Sequence, residues 1–340
     1  MNKRNLPSVR KGLHVFFPLW LIVVGICSIA CHKTSTAVES GLTIKQITVD
    51  GQARKYALYV PDHGPGDTLP LVLVLHGGGG KIETMIGLTG RKSPYKLWME
   101  IAAREKFLVI YPQALEGPTG WPNWNDCRNN APILPEADDV KFLTSLMDLA
   151  INDYGADPGR IFVTGISNGG IMTLRLATEV AGRLAAVAPI SASLPDSSEC
   201  PLPAQPLSIL FMNGTADPML PYHGGTIGNP PNPDHGSVMP VETSIHIWCN
   251  INRTDTIPQI EHYPDNDPDD GSTVTCYTYP NGVNGTEVVF FKITGGGHAA
   301  PSIREQYSQL WQNYVGPQNH DIEMAYVIWA FFKEKKRIPR

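Results

Sequence analysis

Gly165-Ile166-Ser167-Asn168-Gly169 sets a serine between two glycines at a spacing that suits covalent chemistry. A serine hydroxyl is a poor nucleophile until a base takes its proton and a carboxylate orients that base, and backbone N–H groups must meet the oxygen on which charge develops. The residues before it, Arg160-Ile161-Phe162-Val163-Thr164, read as a β-branched and aromatic strand, and those after it open an amphipathic helix. That strand-to-helix context is what gives the five residues meaning. Small residues at 165 and 169 leave room for a strained turn, and the first amides of the helix direct their positive end at it. Ser167 is the candidate nucleophile, and the N–H of Asn168 is one candidate oxyanion donor. Without partners, the same residues would be a glycine-rich turn holding a passive serine.

Partners exist at the expected places. After a nucleophile of this kind the acid and then the histidine follow, each in a loop after a later strand. His298, in Thr294-Gly295-Gly296-Gly297-His298, follows an apolar strand directly and is the candidate base. His320 is the rival, but it stands where the last predicted helix begins and is expected to cap it. Asp217, in Asn213-Gly214-Thr215-Ala216-Asp217-Pro218, follows the strand Leu207–Asn213 and is the candidate acid, in preference to an Asp-Pro turn without function. Asp196 is the runner-up and follows an earlier strand. The second oxyanion N–H is expected from His76-Gly77-Gly78-Gly79-Gly80, with Gly78 the candidate, because glycines let the backbone approach the acyl oxygen. A phosphate-cradling reading of that run fails for lack of a Gly-Lys-Ser/Thr ending.

The elements that must position these groups alternate. Thr43–Val49 and Arg54–Val60 flank Asp50-Gly51, a hairpin signal. Leu71–Leu75 is a continuous apolar run, as in a strand covered on both faces. A helix near Tyr95–Lys106, a strand Phe107–Tyr111 and a helix Asp138–Tyr154 with Val140, Leu143, Met147 and Ile151 on one face come next. Past the serine are helix Asn168–Val180, strands Ala185–Ile190 and Leu207–Asn213, a proline- and glycine-rich loop Tyr222–Met239, and a helix Val241–Asn250. An acidic turn Asp265–Gly271, a strand pair including Glu287–Thr294, and a last helix Asp321–Lys336 with core face Ile322, Ala325, Val327, Ile328 and Phe331 complete the chain. The pattern predicts an α/β fold: a mostly parallel, doubly covered sheet opening with an antiparallel hairpin, in one domain over residues 42–340.

The 340 residues, 42% of them hydrophobic, are enough to bury a large core, and a formal charge of −5 without a basic stripe speaks against nucleic acid as partner. Lys3, Arg4, Arg10 and Lys11 precede an apolar run from Leu13 to Ala30, a secretory signal over residues 1–31. It ends Ser28-Ile29-Ala30-Cys31, resembling a bacterial lipobox, so Cys31 is the expected lipidation site and 32–41 a tether. Ordinary cleavage and an uncleaved anchor are the alternatives. All place the domain outside the cytoplasm, with membrane contact only through that anchor. Of the remaining cysteines, the expected pairs are Cys249 with Cys276 and Cys127 with Cys200, the latter because both fall in loops after strands on one edge of the sheet.

From about Gly51 to Lys333 the chain resembles the secreted esterases grouped as polyhydroxybutyrate depolymerase-like and as carbohydrate esterase family 1, the feruloyl and acetyl xylan esterases. The resemblance rests on Leu75-His76-Gly77-Gly78-Gly79, Val109-Ile110-Tyr111-Pro112-Gln113, Asn123-Trp124-Asn125-Asp126-Cys127, Asp138-Asp139-Val140, Asp157-Pro158-Gly159-Arg160-Ile161, Gly165–Gly170, Gly214-Thr215-Ala216-Asp217, Trp248-Cys249 and Gly296-Gly297-His298. It implies an α/β-hydrolase fold and serine esterase chemistry. One departure stands out: where the family often has Thr-Trp-Pro-Gly after the histidine, this chain has Ala299-Ala300-Pro301-Ser302, which removes a large apolar wall beside the base.

Trp121 and Trp124 can stack on a sugar or aromatic acyl group, or simply pack the loop. Asp265, Asp267, Asp269 and Asp270 fall short of a calcium loop, because Gly271 comes one place late and Cys276 stands where a glutamate is expected. No metal and no cofactor is expected, and the Asn-x-Thr sequons at Asn213, Asn252 and Asn284 carry no glycan behind a bacterial lipoprotein signal. The leading expectation is hydrolysis of acyl, acetyl or feruloyl esters on polysaccharide fragments. The alternatives are a short-chain polyester depolymerase, acyl transfer by the same residues, and a binding lipoprotein without turnover. No segment after the last predicted helix offers an appended docking face for an insoluble polymer.

Overall fold

The computed structural model describes residues 41–64 and 66–337. The expected signal, Cys31 and residues 32–40 of the tether lie outside them. β1 (Leu42–Val49) and β2 (Gln52–Tyr59) pair around Asp50 and Gly51, whose φ of 51° and 77° are both positive, as a tight hairpin requires. There follow β3 (Leu69–Leu75), α1 (Ile82–Met85), α2 (Leu97–Glu105), β4 (Leu108–Pro112), α3 (Asp139–Tyr154), β5 (Ala156–Ile166), α4 (Asn168–Glu179), β6 (Ala186–Ile190) and β7 (Ser208–Gly214). The chain continues through the short β8 (Gly225–Thr226) and β9 (Ser237–Val238), α5 (Val241–Asn252), β10 (Gln259–His262), β11 (Thr273–Tyr279), β12 (Val288–Thr294), α6 (Gln309–Val315) and α7 (Met324–Phe332).

One ten-stranded sheet runs in the order β1-β2-β4-β3-β5-β6-β7-β12-β11-β10. From β4 to β12 every neighbouring pair is parallel, while β1 and β2 on one side and β11 and β10 on the other join antiparallel. β3, β4 and β6 are apolar and buried along their whole length, as are the middles of β5, β7 and β12, because helices cover both faces. On one face α2 and α7 bring Trp98, Trp329 and Phe332 onto Phe107 and Phe162, with Phe107 stacked on Trp329 at 3.9 Å and Phe162 on Phe332 at 4.7 Å. On the other, Phe142 and Leu146 of α3, Met172 of α4 and Trp248 of α5 fill the core.

Four sequence expectations shift. The buried stripe of α3 is Phe142, Leu143, Leu146, Met147 and Ala150, leaving Val140 and Ile151 half-buried at its border. The last helix starts at Met324, because Asp321 is spent accepting the Asn266 and Asp267 amides. His320 therefore does not cap it; its Nδ1 bonds Asp267 Oδ2 at 2.7 Å and closes the acidic turn. The expected Cys249–Cys276 pair is absent: both thiols are free and buried. Strand alternation is the reason, since Cys276 packs with Val274 and Phe291 on one face and Cys249 with Phe290 on the other.

Cys127 and Cys200 are bonded, with Cα atoms 5.6 Å apart. The stated ground for that pair fails, since β3 and β5 separate β4 from β6. What unites them is that both loops leave the C-terminal ends of strands and run side by side, Asn129 N donating to Ser197 O at 3.0 Å and Glu199 N to Cys127 O at 3.0 Å.

Candidate active site

Ser167 sits between β5 and α4 with φ 58° and ψ −125°, a conformation that a non-glycine residue adopts only when its surroundings enforce it. Three contacts enforce it. The Ser167 N–H donates to Ile190 O at 2.9 Å. A Cβ on Gly169 would come within 2.3 Å of His76 O, and one on Gly165 within 2.4 Å of Gly169 O. Any side chain at either position would push the turn off the sheet, which explains the Gly-x-Ser-x-Gly spacing.

The loop after β3 lies against that turn. A Cβ on Gly77 would be 3.3 Å from Ser167 Cβ, and one on Gly78 3.9 Å from Asn168 Cβ. Gly79 N–H donates to Pro122 O and Gly80 N–H to Gly77 O, whereas among the described residues the Gly78 and Asn168 N–H groups meet no acceptor in the chain. The two donors singled out from sequence are therefore neighbours beside the serine.

His76 shapes this loop from beneath. Fully buried, its Nδ1–H donates to Gly77 O at 2.7 Å, while Nε2 accepts from Ala114 N at 3.1 Å and from Gln113 Nε2 at 2.9 Å. Burial pulls the imidazole down to about 4, so it stays neutral and holds that tautomer.

Above it, Trp124 is buried rather than presented to solvent, which removes it from the substrate-stacking role. Its indole N–H donates to His76 O at 2.8 Å, and its own N–H and C=O are both taken by the Asn168 amide, at 2.7 and 2.9 Å. Asn168 Nδ2 also donates to Asp126 Oδ2 at 2.7 Å, and Asp126 is paired with Arg128 Nε at 2.9 Å in an ion pair nearly closed to water. Sequence reasoning quoted Asp126 only as part of a motif. Its chemical signal was available: an acidic residue two before an arginine, in a loop that contains two tryptophans. Trp121, by contrast, is exposed and lies on Gly79.

Asp217 and His298 come together. Their loops follow β7 and β12, which are parallel neighbours, and they are joined by Ala216 N to Gly296 O at 2.9 Å and Gly295 N to Thr215 Oγ1 at 3.0 Å. Contact is so close that a Cβ on Gly214 would be 2.2 Å from Gly296 O. Asp217 Oδ1 accepts the Met219 and Leu220 amides at 2.8 Å each, which leaves Oδ2 to accept His298 Nδ1–H at 2.7 Å. His298 N–H donates to Val315 O at 2.6 Å. Asp196 is exposed and touches Ser237 instead. After the histidine, Ala299 and Ala300 are buried and supply no wall.

Residues 66–229 match the family described as Phospholipase/Carboxylesterase, a stretch that holds the Ser167 turn and Asp217 but not His298. Feruloyl esterase C of Emericella nidulans is 30% identical over 61% of this chain and 68% of its own length. Feruloyl esterase B of Piromyces equi is 28% identical over 58% of this chain, which spans 35% of that longer protein. Among solved structures, a thermostable esterase superposes with a TM-score of 0.51 at 16% identity, over 87% of this chain and 64% of its own, a likeness of fold. With a bifunctional acetylxylan esterase/xylanase and a poly(3-hydroxyalkanoate) depolymerase also among its relatives, the chain belongs to the α/β-hydrolase esterases, in the group that holds the feruloyl esterases.

Proposed function

We propose that the protein is a serine esterase in which Ser167, His298 and Asp217 form the catalytic triad. Ser167 Oγ attacks the ester carbonyl, and His298 Nε2 takes its proton while Asp217 Oδ2 holds Nδ1–H. The Gly78 and Asn168 N–H groups receive the negative oxygen. His298 returns the proton to the departing alcohol, then draws one from water as the acyl-enzyme is cleaved. The observation that carries this reading is the Asp217–His298 bond of 2.7 Å, formed by loops from adjacent parallel strands. The strained Ser167 turn and the two paired N–H groups support it from the other side of the site.

The substrates we assign are short acyl, acetyl or feruloyl esters on polysaccharide fragments, in line with the feruloyl esterases among the relatives. We place the enzyme outside the cytoplasm, lipidated at Cys31. Among the described residues no helix is long and apolar enough to cross a membrane. The test is a hydrolysis panel of p-nitrophenyl acetate, methyl ferulate, acetylated xylan and polyhydroxybutyrate. Ser167→Ala should remove activity by several orders of magnitude, as in other triads, and Asp217→Asn should fall far below Asp196→Asn. Near-native turnover by Ser167→Ala would end the assignment. Clearing of polyhydroxybutyrate without release of acetate or ferulate would replace the substrate class and keep the serine chemistry.

A further inference from the structure

Among the described residues, the aromatic members of the exposed large hydrophobics are Trp121, Trp311 and Tyr314, at 61%, 49% and 45% exposure. Each lies beside the candidate site. Trp121 rests on Gly79, next to the candidate oxyanion donor. Trp311 and Tyr314 belong to α6, and Val315 at the end of that helix accepts the His298 N–H. Their rings are 5.6 Å apart, with Leu310 at 82% exposure on the same helix. Leaving such side chains about half in water forgoes part of their burial free energy, and neighbouring exposed aromatics point to an interaction site.

The helix is held firmly. Ser308 Oγ caps it at Trp311 N, Gln312 bridges Tyr307 O and Gln318 N, and Tyr314 O accepts from Asn229 of the proline-rich loop. A rigid base is what a stacking surface needs, since little order has to be added on binding. From Gln306 to Asn319 the chain carries no formal charge. The neighbouring polar side chains of the helix are amides, on a different face from Trp311: Gln309 Nε2 donates to Asn313 Oδ1 at 3.0 Å.

A neutral ligand with apolar faces and hydroxyl edges meets every part of this surface. Anionic polymers and lipid headgroups would find no cation on it. An aliphatic polyester is neutral too, and the test below separates it from a sugar chain. We propose that Trp311 and Tyr314 form a stacking platform for the neutral sugar chain that carries the ester, on the histidine side of the site, with Trp121 opposite it on the oxyanion side. This rests on the assignment of carbohydrate-linked esters made above.

The test compares Trp311→Ala and Tyr314→Ala with the parent enzyme on feruloylated xylo-oligosaccharides and on methyl ferulate, with thermal unfolding to confirm the fold. Unesterified xylohexaose is titrated in parallel into Ser167→Ala, with and without the platform substitutions. Losing the exposed half of an aromatic face from the contact with a sugar removes apolar burial alone, so KM for the oligosaccharide ester should rise about five-fold at unchanged kcat. The loss on methyl ferulate should be several times smaller, and xylohexaose binding should weaken in step with KM. Equal losses on both esters, or unchanged KM on the oligosaccharide, would overturn the platform. So would loss of adsorption to polyhydroxybutyrate with xylohexaose binding intact. If the parent cleaves no carbohydrate-linked ester, the substrate assignment fails by itself. Xylohexaose binding by Ser167→Ala then still decides the platform: binding that Trp311→Ala abolishes upholds it, and no binding refutes it.

Discussion

Replacing Asn168 by aspartate changes one NH₂ group into an oxygen and nothing in size. That NH₂ donates to Trp124 O at 2.9 Å and to Asp126 Oδ2 at 2.7 Å. In Asn168→Asp both acceptors would face a third acceptor, while Oδ1 keeps its bond from Trp124 N. The neutral bond is worth about 1 kcal/mol and the charge-assisted one about 2 kcal/mol, and a second carboxylate beside Asp126 adds repulsion in a site nearly closed to water. The expected loss is at least about 3 kcal/mol, a fall in Tm of roughly 5 °C for a domain of this size. Catalysis should suffer more than stability. The Asn168 N–H is the proposed oxyanion donor, and removing or misaiming one such donor costs about 10²–10³ in kcat. Thermal unfolding and p-nitrophenyl acetate kinetics read both effects on one preparation. A variant within a degree or two of the parent in Tm, and within two-fold in kcat, would refute the reasoning that this side chain clamps the turn.

Acid should destabilise the fold through His76. Its imidazole is held at about 4 against an ordinary 6.5, so on acidification the unfolded chain binds a proton before the folded one does. Stability is full above 6.5 and falls by about 3 kcal/mol as the pH drops to 4, and denaturant titrations of His76→Gln should show a flatter profile over that window. Alkylation in denaturant without reductant, followed by peptide mapping, should label Cys249 and Cys276 and spare Cys127 and Cys200; protection of Cys249 and Cys276 would contradict the opposite-face placement. Reducing the Cys127–Cys200 bond, which closes a sequence separation of 73, should cost about 4 kcal/mol, measured as a shift in Tm with reductant. Mass spectrometry of the mature N-terminus should find acylated Cys31, and an intact Met1 or an unmodified start beyond Cys31 would count against lipidation.

Much of the site was legible because its parts obey short-range rules. Ser167 and its glycines announce themselves by the strand before and the helix after, and Asp217 and His298 by following apolar strands. The register that brings the last two together, β7 beside β12, needed the structure, since Gly214 and Ile293, 79 positions apart, are paired only through strand order. Trp124 was ambiguous for a different reason: an aromatic in a loop looks the same whether it faces water or fills the gap between two backbones. The Cys249–Cys276 expectation failed because loop length says nothing about which face of a strand a thiol occupies. α6 went unseen because a neutral helix with exposed Leu310 and Trp311 lacks the amphipathic pattern that periodicity detects.

The pairing of β7 with β12 has a further consequence. Parallel neighbours require a crossover but set no upper limit on its length, and here everything between Gly214 and Val288 is inserted between the strand that leads to the proposed acid and the strand that leads to the proposed base. The proposed acid and base are thus fixed by the sheet; of the inserted residues, α5 packs into the core and β10 and β11 extend the sheet, which leaves the proline-rich loop as the excursion. Such a chain can lengthen, shorten or redecorate one wall of its site without retuning its proton transfer. Selectivity and reactivity are thus partly separable, but His235 O holds Arg128, the partner of Asp126, so an engineer exchanging residues 223–239 would have to keep that contact to leave the Asn168 turn undisturbed.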